Sequence, residues 1–419
     1  MRSLAHWISA AACTVAVALA APAPGASLIS ERIPLAGGIV HYRFDVVVGP
    51  GPFDVIRMHR VIKEQQPGQL VVTPDAVMLL PGNPTFFEGL YMAPLVSPST
   101  AWDHSIAIFL AKNNIDVWGM DWAWAMVPAA ATDFGFMKGW GLEKDAQHAA
   151  VAVAIARWVR SWTGQGQGPI HLGGLSYGAL HSYLAAALET QLPQSQRNIK
   201  DIIPIDWGVR FNDEAMRSFS CAMIPTDQEA LKQSYSNDTG LFMKELGSLA
   251  AASPGAPSPM IDGLTNLQAA QALGTTTELF NGQPWHYVGG FLDAIGTPTG
   301  LRFTVERLWL DVIQTNPPHY PAQLDLETDQ LICGSPSPWD DRLHQVALPI
   351  FYGGAAGGIG TTGYYTTTLT ASKDITRLVV QALPDGQTKS DWGHGDTVYA
   401  RDAETKLWKV ILDWIKAHR

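Results

Sequence analysis

Pro169-Ile170-His171-Leu172-Gly173-Gly174-Leu175-Ser176-Tyr177-Gly178-Ala179-Leu180 is the stretch that decides the fold. Pro169 to Leu172 is a short apolar run of strand character, and Ala179-Leu180 opens a run of helix formers that continues through Ala185-Ala186-Ala187. Between them, Ser176 is bracketed by Gly174 and Gly178. A chain that passes from a strand straight into a helix must turn sharply. The residue at the turn is strained, and side chains two positions to either side would collide with the neighbouring strand and helix. In a chain with 39 glycines the pentapeptide alone arises easily by chance. The strand before it and the helix after it give it meaning.

Outward from this turn the sequence alternates. Upstream, Ile39 to Val48 and Val55 to Lys63 read as strands joined across Gly49-Pro50-Gly51-Pro52, a hairpin-like opening. A third strand, Val77 to Leu80, stops at Pro81-Gly82-Asn83-Pro84. Then come a helix around Trp102 to Lys112, a strand from Ile115 to Met120 and a helix from Glu143 to Trp162. Downstream of the turn, the helix Ala179 to Thr190 leads to a strand, Ile202 to Ile205. Strands alternating with helices imply a mostly parallel sheet covered on both faces. From Trp207 to Gln345 the strand signals fade and helical stretches flank the loop Ser253 to Met260, as expected of a largely helical inserted cap. Alternation resumes at Leu348 to Tyr352 and continues with a helix beginning near Ser372. It closes on an amphipathic helix with Leu407, Val410, Ile411, Trp414 and Ile415 on one face. The expected division is a core of 21–206 and 346–419 with 207–345 inserted.

Gly174 to Gly178, in this setting, resembles the G-x-S-x-G nucleophile elbow of the α/β-hydrolase superfamily. The resemblance implies that Ser176 is a nucleophile and that an oxyanion hole forms from two backbone N–H groups. One belongs to the residue after the serine, Tyr177, and the other to the loop after the third strand. There Asn83 is the natural donor, since Pro84 has no N–H. Pro81-Gly82-Asn83-Pro84 is similar to the His-Gly-x-Pro motif of epoxide hydrolases and haloalkane dehalogenases, with proline in place of histidine. Those families use an aspartate nucleophile. A serine here favours acyl transfer through a serine ester. The resemblance places the general base between the last strand and the last helix, where Asp391-Trp392-Gly393-His394-Gly395-Asp396 offers His394.

The third member of such a triad usually follows the seventh strand, but that position holds Gly353-Gly354-Ala355-Ala356-Gly357-Gly358-Ile359-Gly360. The next carboxylate, Asp374, looks like part of a helix start. Asp206, at the end of the strand after the nucleophile helix, is the leading candidate, resembling the placement in pancreatic-type lipases and some dehalogenases; Asp396 and Asp391 are the alternatives. Asp121 also ends a strand, a position whose carboxylates orient loops, and is left out of the triad.

Composition narrows the partners. The chain has 419 residues, 47% of them apolar, and a net charge of −10 without a run of like charges. This argues against nucleic acid and against an anionic membrane surface. Arg2, the apolar run from Leu4 to Leu19 and the small residues around Ala18-Leu19-Ala20 read as an export signal, residues 1–20, too short to span a membrane. Cys13 would leave with it, and Cys221 and Cys333 are expected to pair in an oxidising compartment. No Cys/His spacing resembles a zinc site, and no cofactor is implied.

Phe86, Phe87, Tyr91, Trp122, Trp124 and Trp207 cluster near the expected mouth of the site. Either they line an apolar pocket, which suggests a hydrophobic, uncharged ester as a small-molecule or lipid-like substrate, or they are core residues. Ser176-Tyr177-Gly178 also resembles the elbow of secreted aminopeptidases, so an amide-cleaving exopeptidase is the alternative. That activity would need acidic residues in the cap, where no pair stands out beyond Asp340-Asp341. A silent binding domain is a third possibility, though such domains typically lose the serine or histidine that this chain retains.

Overall fold

The computed structural model describes residues 31–277 and 284–419; the expected export segment lies outside the described residues. The strands of the core are β1 Glu31–Pro34, β2 Ile39–Val47, β3 Val55–Gln66, β4 Gln69–Leu70, β5 Asp75–Leu80, β6 Ile115–Asp121, β7 Ile170–Leu175 and β8 Ile199–Ile205. Two-residue to four-residue strands β9 Ser236–Asn237, β10 Gly290–Leu292, β11 Pro298–Leu301 and β12 Tyr320–Pro321 follow, then β13 Ile350–Ala355 and β14 Ile375–Val380. The helices that matter here are α1 Ile106–Lys112, α2 Leu142–Trp162, α3 Tyr177–Glu189, α4 Glu214–Gln233, α5 Thr239–Ala252, α6 Asn266–Thr275, α7 Glu306–Thr315, α8 Ala322–Cys333 and α9 Lys409–Ala417.

One large sheet runs in the order β1-β2-β3-β6-β5-β7-β8-β13-β14, with β4 against β3. From β6 to β14 every neighbouring pair is parallel, and β1, β2 and β3 add an antiparallel edge. Strands buried on both faces read as continuous apolar runs. In β5, Met78 and Leu80 face one layer with Leu172, Ile202 and the α2 and α3 residues Val153, Leu180 and Leu184. Val77 and Leu79 face the other layer, with Ile203, Ile205, Phe351 and the α1 and α9 residues Leu110, Ile411 and Ile415. This period-two alternation puts β7, and the turn at its C-terminal end, in the middle of the sheet.

Between β8 and β13 lie α4 to α8 and the short pairs β9/β12 and β10/β11. Helices α5, α6 and α7 close a small core of their own around Met243, Leu246, Leu273, Trp309 and Ile313. Cys221 of α4 and Cys333 of α8 form a disulfide.

Three local expectations are corrected. The segment after Ser372 is strand β14, parallel to β13, because Ile375, Leu378, Val379 and Val380 form an extended apolar, β-branched run. Asp374 therefore precedes a strand. Helix α1 starts at Ile106, not near Trp102, because the Ser105 hydroxyl accepts from the Ile108 N–H as an N-cap; Trp102 is exposed. In the last helical segment Leu407, Ile411, Trp414 and Ile415 are buried, but Val410, at the edge of that arc, is exposed.

Candidate active site

Ser176 sits between β7 and α3 with φ 60° and ψ −124°, a left-sided backbone conformation rare outside glycine. Its N–H donates to Ile205 O at 3.0 Å, and its carbonyl accepts from Ala179 and Leu180 at the start of α3. Both bracketing glycines are sterically forced: a Cβ on Gly178 would lie 1.9 Å from Leu80 O, and one on Gly174 would lie 2.5 Å from the Gly178 carbonyl carbon. Gly82 approaches from the neighbouring strand end, where a Cβ would meet Ser176 Cβ at 3.0 Å. Tyr91 acts as a strut, its hydroxyl donating to Leu80 O at 2.6 Å and accepting from the Leu175 N–H at 2.9 Å.

His394 comes from the loop after β14. Its Nδ1 lies 2.8 Å from Asp206 Oδ2, and its Nε2 is buried without a hydrogen-bond partner among the described residues. Asp206 is fully buried at the end of β8 with φ 49°. Its carboxylate also accepts from the N–H groups of Ala355 at 2.8 Å, Ile359 at 3.0 Å and Gly360 at 2.9 Å. The glycine-rich run after β13 therefore has no carboxylate because its amides cradle one from the adjacent strand. Gly358 is part of that fit: a Cβ there would stand 2.1 Å from Asp206 Oδ2. The sequence carried a signal for this, since a run of small residues leaves backbone donors unobstructed.

The other two aspartates have separate work. Asp391 accepts from the N–H groups of Ala382, Leu383 and Trp392. Asp396 accepts from Gly289 N and Gly393 N and from the Thr304 hydroxyl, tying the insertion to the histidine loop; burial pushes its carboxyl up to about 7. The same loop is held by His394 N–H to His286 O and Gly395 N–H to Tyr287 O. Trp285, Trp207 and Tyr287 surround the imidazole, with ring centroids 5.0, 5.9 and 6.2 Å away. Trp285 and Tyr287 come from the insertion and carried no sequence signal. Asp121 accepts from the Phe87 N–H at 2.7 Å, orienting the loop after β5.

Asn83 and Tyr177 flank Ser176. Tyr177 is the first residue of α3, so its N–H has no acceptor within the helix. Gly82 O accepts from Thr85 N at 3.0 Å, closing a turn around the cis Asn83-Pro84 bond. Asn83, Ser176 and His394 border a small cavity of about 50 Å³ with apolar walls from Leu90, Val312 and Ile313. Asn83, Ser176 and Tyr177 also border a larger cavity of about 310 Å³ that reaches into the insertion. Of the six clustered aromatics, Trp207 lines this cavity. Phe87, Tyr91, Trp122 and Trp124 are core residues, because each is buried inside a layer of the sheet.

One further feature corrects the sequence reading: acidic residues do meet in the insertion. Asp227 of α4 and Asp325 and Asp329 of α8 all line the larger cavity. They were not legible because one comes from a helix about 100 positions away and the other two are spaced i, i+4 rather than adjacent. Asp341 is exposed.

Among the described residues, His41, His59 and Glu88 are the one group with ligand atoms within 4.8 Å of one another. His41 Nε2 and His59 Nδ1 are 2.9 Å apart, His59 Nε2 lies 3.1 Å from Asp121, and Arg43 pairs with Glu88 at 2.8 Å.

No protein-family model and no curated protein sequence matches the chain. A candidate lipase from Sulfolobus solfataricus superposes with a TM-score of 0.62 at 18% identity, over 93% of this chain and 99% of that one. A thermophilic esterase from Thermogutta terrifontis gives 0.44 at 12% identity over 90% and 98%. An epoxide hydrolase from Vigna radiata gives 0.45 at 13% identity over 92% and 99%. The fold is that of the α/β-hydrolases.

Proposed function

We propose that the chain is a serine hydrolase that cleaves a carboxylic ester through an acyl-enzyme on Ser176. The observation that carries this reading is the buried His394 imidazole, fixed by Asp206 at Nδ1, free at Nε2, and sharing a cavity wall with Ser176. With Asp206 holding the proton on Nδ1, Nε2 is the acceptor. It takes the Ser176 hydroxyl proton as Oγ attacks the ester carbonyl, and the N–H groups of Tyr177 and Asn83 hold the oxyanion. Collapse of the tetrahedral intermediate expels the alcohol, which receives the proton from Nε2. Water then attacks the acyl-enzyme by the same route and returns the free serine and the acid.

The apolar walls of the small cavity support a hydrophobic group beside the scissile bond. Export is part of the proposal: the N-terminal segment reads as a signal, the disulfide suits an oxidising compartment, and no helix among the described residues is long and apolar enough to cross a membrane. The test is turnover of p-nitrophenyl esters of increasing acyl length, with fluorophosphonate labelling mapped to its peptide. Wild type is expected to hydrolyse esters and to label at Ser176, and Ser176→Ala to do neither. Label on another serine, or undiminished turnover by Ser176→Ala, rejects the proposal.

A further inference from the structure

We propose that the small cavity is the acyl pocket and that its size restricts the enzyme to short acyl groups of about four carbons, with Val312 and Ile313 of α7 setting the limit. The proposal rests on the reading of Ser176 as the nucleophile. Two cavities meet at that serine, one of about 50 Å³ and one of about 310 Å³, and an ester bound across it puts its acyl part in one and its alcohol part in the other.

Traffic through the reaction decides which. The acyl group stays on Ser176 while the alcohol leaves and water takes its place, so the alcohol side needs a path to solvent and the acyl side does not. The small cavity is walled by Leu90, Met243, Trp309, Val312, Ile313 and Tyr399, each no more than 4% exposed. The large cavity reaches the surface, where Thr239 on its wall is exposed. His394 serves both sides: it borders the small cavity, and Trp207 and Trp285 of the large cavity flank its ring.

The small cavity suits an alkyl chain. Thr85 Oγ1 donates to Gly82 O at 2.8 Å, Trp309 Nε1 to Ala270 O at 2.8 Å and Tyr399 Oη to Gly89 O at 3.1 Å, so these donors are turned into the protein. A water-sized group fills about 10–15 Å³ of such space, which leaves room for about three to five methylene-sized groups. The walls resist stretching. Ile313 lies so close to α5 that a Cβ on Gly247 would stand 2.8 Å from its Cγ1. Met243, by nature an adaptable side chain, is held by Asn316 Nδ2, which donates to its Sδ at 3.3 Å. A longer chain finds no relief in the large cavity, because Ser220, Asn237, Thr239 and Thr328 line it and an alkyl tail there would strip water from polar groups.

The experiment measures kcat/KM of the full chain for p-nitrophenyl acetate, butyrate, hexanoate and octanoate, and for the butyrates of p-nitrophenol, 4-methylumbelliferone and 1-naphthol. It uses wild type, Ser176→Ala, Val312→Ala and Ile313→Ala. In wild type each methylene that fits should raise kcat/KM about fourfold up to butyrate. A chain that overfills the pocket should lower it about 10–200-fold, which puts octanoate well below butyrate. The three butyrates should all turn over, within about tenfold of one another, since a two-ring alcohol exceeds the small cavity and fits only the large one. The two alanine variants remove carbon atoms from the pocket wall, and each, shown folded by circular dichroism, should raise the hexanoate-to-butyrate ratio about tenfold. If neither variant folds, the wild-type profiles still decide. Octanoate turned over as well as butyrate, rejection of the two-ring butyrates, or folded variants that keep the wild-type profile overturns the proposal. Any of these with activity lost in Ser176→Ala leaves the hydrolase reading in place, whereas absence of turnover at every chain length overturns both.

Discussion

His394 Nδ1 and Asp206 Oδ2 are 2.8 Å apart although 188 positions separate them in the chain, and three backbone amides from the end of β13 share the same carboxylate. An aspartate that accepts four hydrogen bonds cannot swing away from the imidazole, so it fixes both the ring's orientation and its tautomer. Asp206→Asn puts an NH2 group where acceptors are required and favours the wrong tautomer. Its kcat on the best p-nitrophenyl ester should fall about 10³–10⁴-fold, by comparison with what such a substitution does in other triads. A folded Asp206→Asn protein within tenfold of wild type would show that Asp206 does not orient His394.

Gly358→Ala tests the cradle from the other side. The added Cβ would lie 2.1 Å from Asp206 Oδ2 and 3.0 Å from His394 N. Relief requires the carboxylate to move by about 1 Å, a displacement that costs on the order of 10²-fold in rate at a preorganised site. KM should change little. Full activity in Gly358→Ala would mean the cradle is loose.

Most of the core was legible because its signals are local. The apolar runs Val77 to Leu80 and Ile170 to Leu172 announced strands buried on both faces, and glycines at 174 and 178 marked the turn at Ser176. What escaped depends on contacts distant in sequence. The glycine run 353–360 looked like a missing acid because small residues signal unobstructed backbone donors without naming the carboxylate, far off in the chain, that they hold. Asp227, Asp325 and Asp329 looked unremarkable because only the packing of α4 on α8 brings them together. The segment after Ser372 went astray for a different reason: a six-residue run with four apolar positions does not separate a short helix from a strand until a partner such as β13 is present.

The disulfide between Cys221 and Cys333 spans 112 positions. Closing a loop of that length restricts the unfolded chain, and removing such a link typically costs about 2–5 kcal/mol. Cys221→Ser with Cys333→Ser should therefore lower the melting temperature measured by differential scanning calorimetry, and treatment of wild type with dithiothreitol should reproduce the shift. A double variant that melts with the oxidised wild type would place the stabilising contribution of this link near zero.

Asp396 predicts how stability changes with pH. Burial raises its carboxyl to about 7 in the folded protein, against about 3.9 in an unfolded chain. The folded state thus holds the proton more tightly. The stability this contributes is complete below pH 4 and is lost as pH climbs through 7, at no more than about 1.4 kcal/mol per pH unit for one proton. Asp396→Asn keeps an acceptor for Gly289 and Gly393 and does not titrate, so its melting temperature should gain on wild type from pH 5 to pH 8. Asp145 and Asp325, also raised to about 7 by burial, steepen both curves alike and cancel in the difference. Buried histidines act in the opposite sense. Burial lowers His181 to about 4 and His148 to about 3, so their contribution is present above the ordinary value of about 6.5 and drains away as pH falls toward 4. A difference between Asp396→Asn and wild type that stays flat from pH 5 to pH 8 would mean that the Asp396 carboxyl is ionised throughout, with Thr304, Gly289 and Gly393 enough to hold its charge.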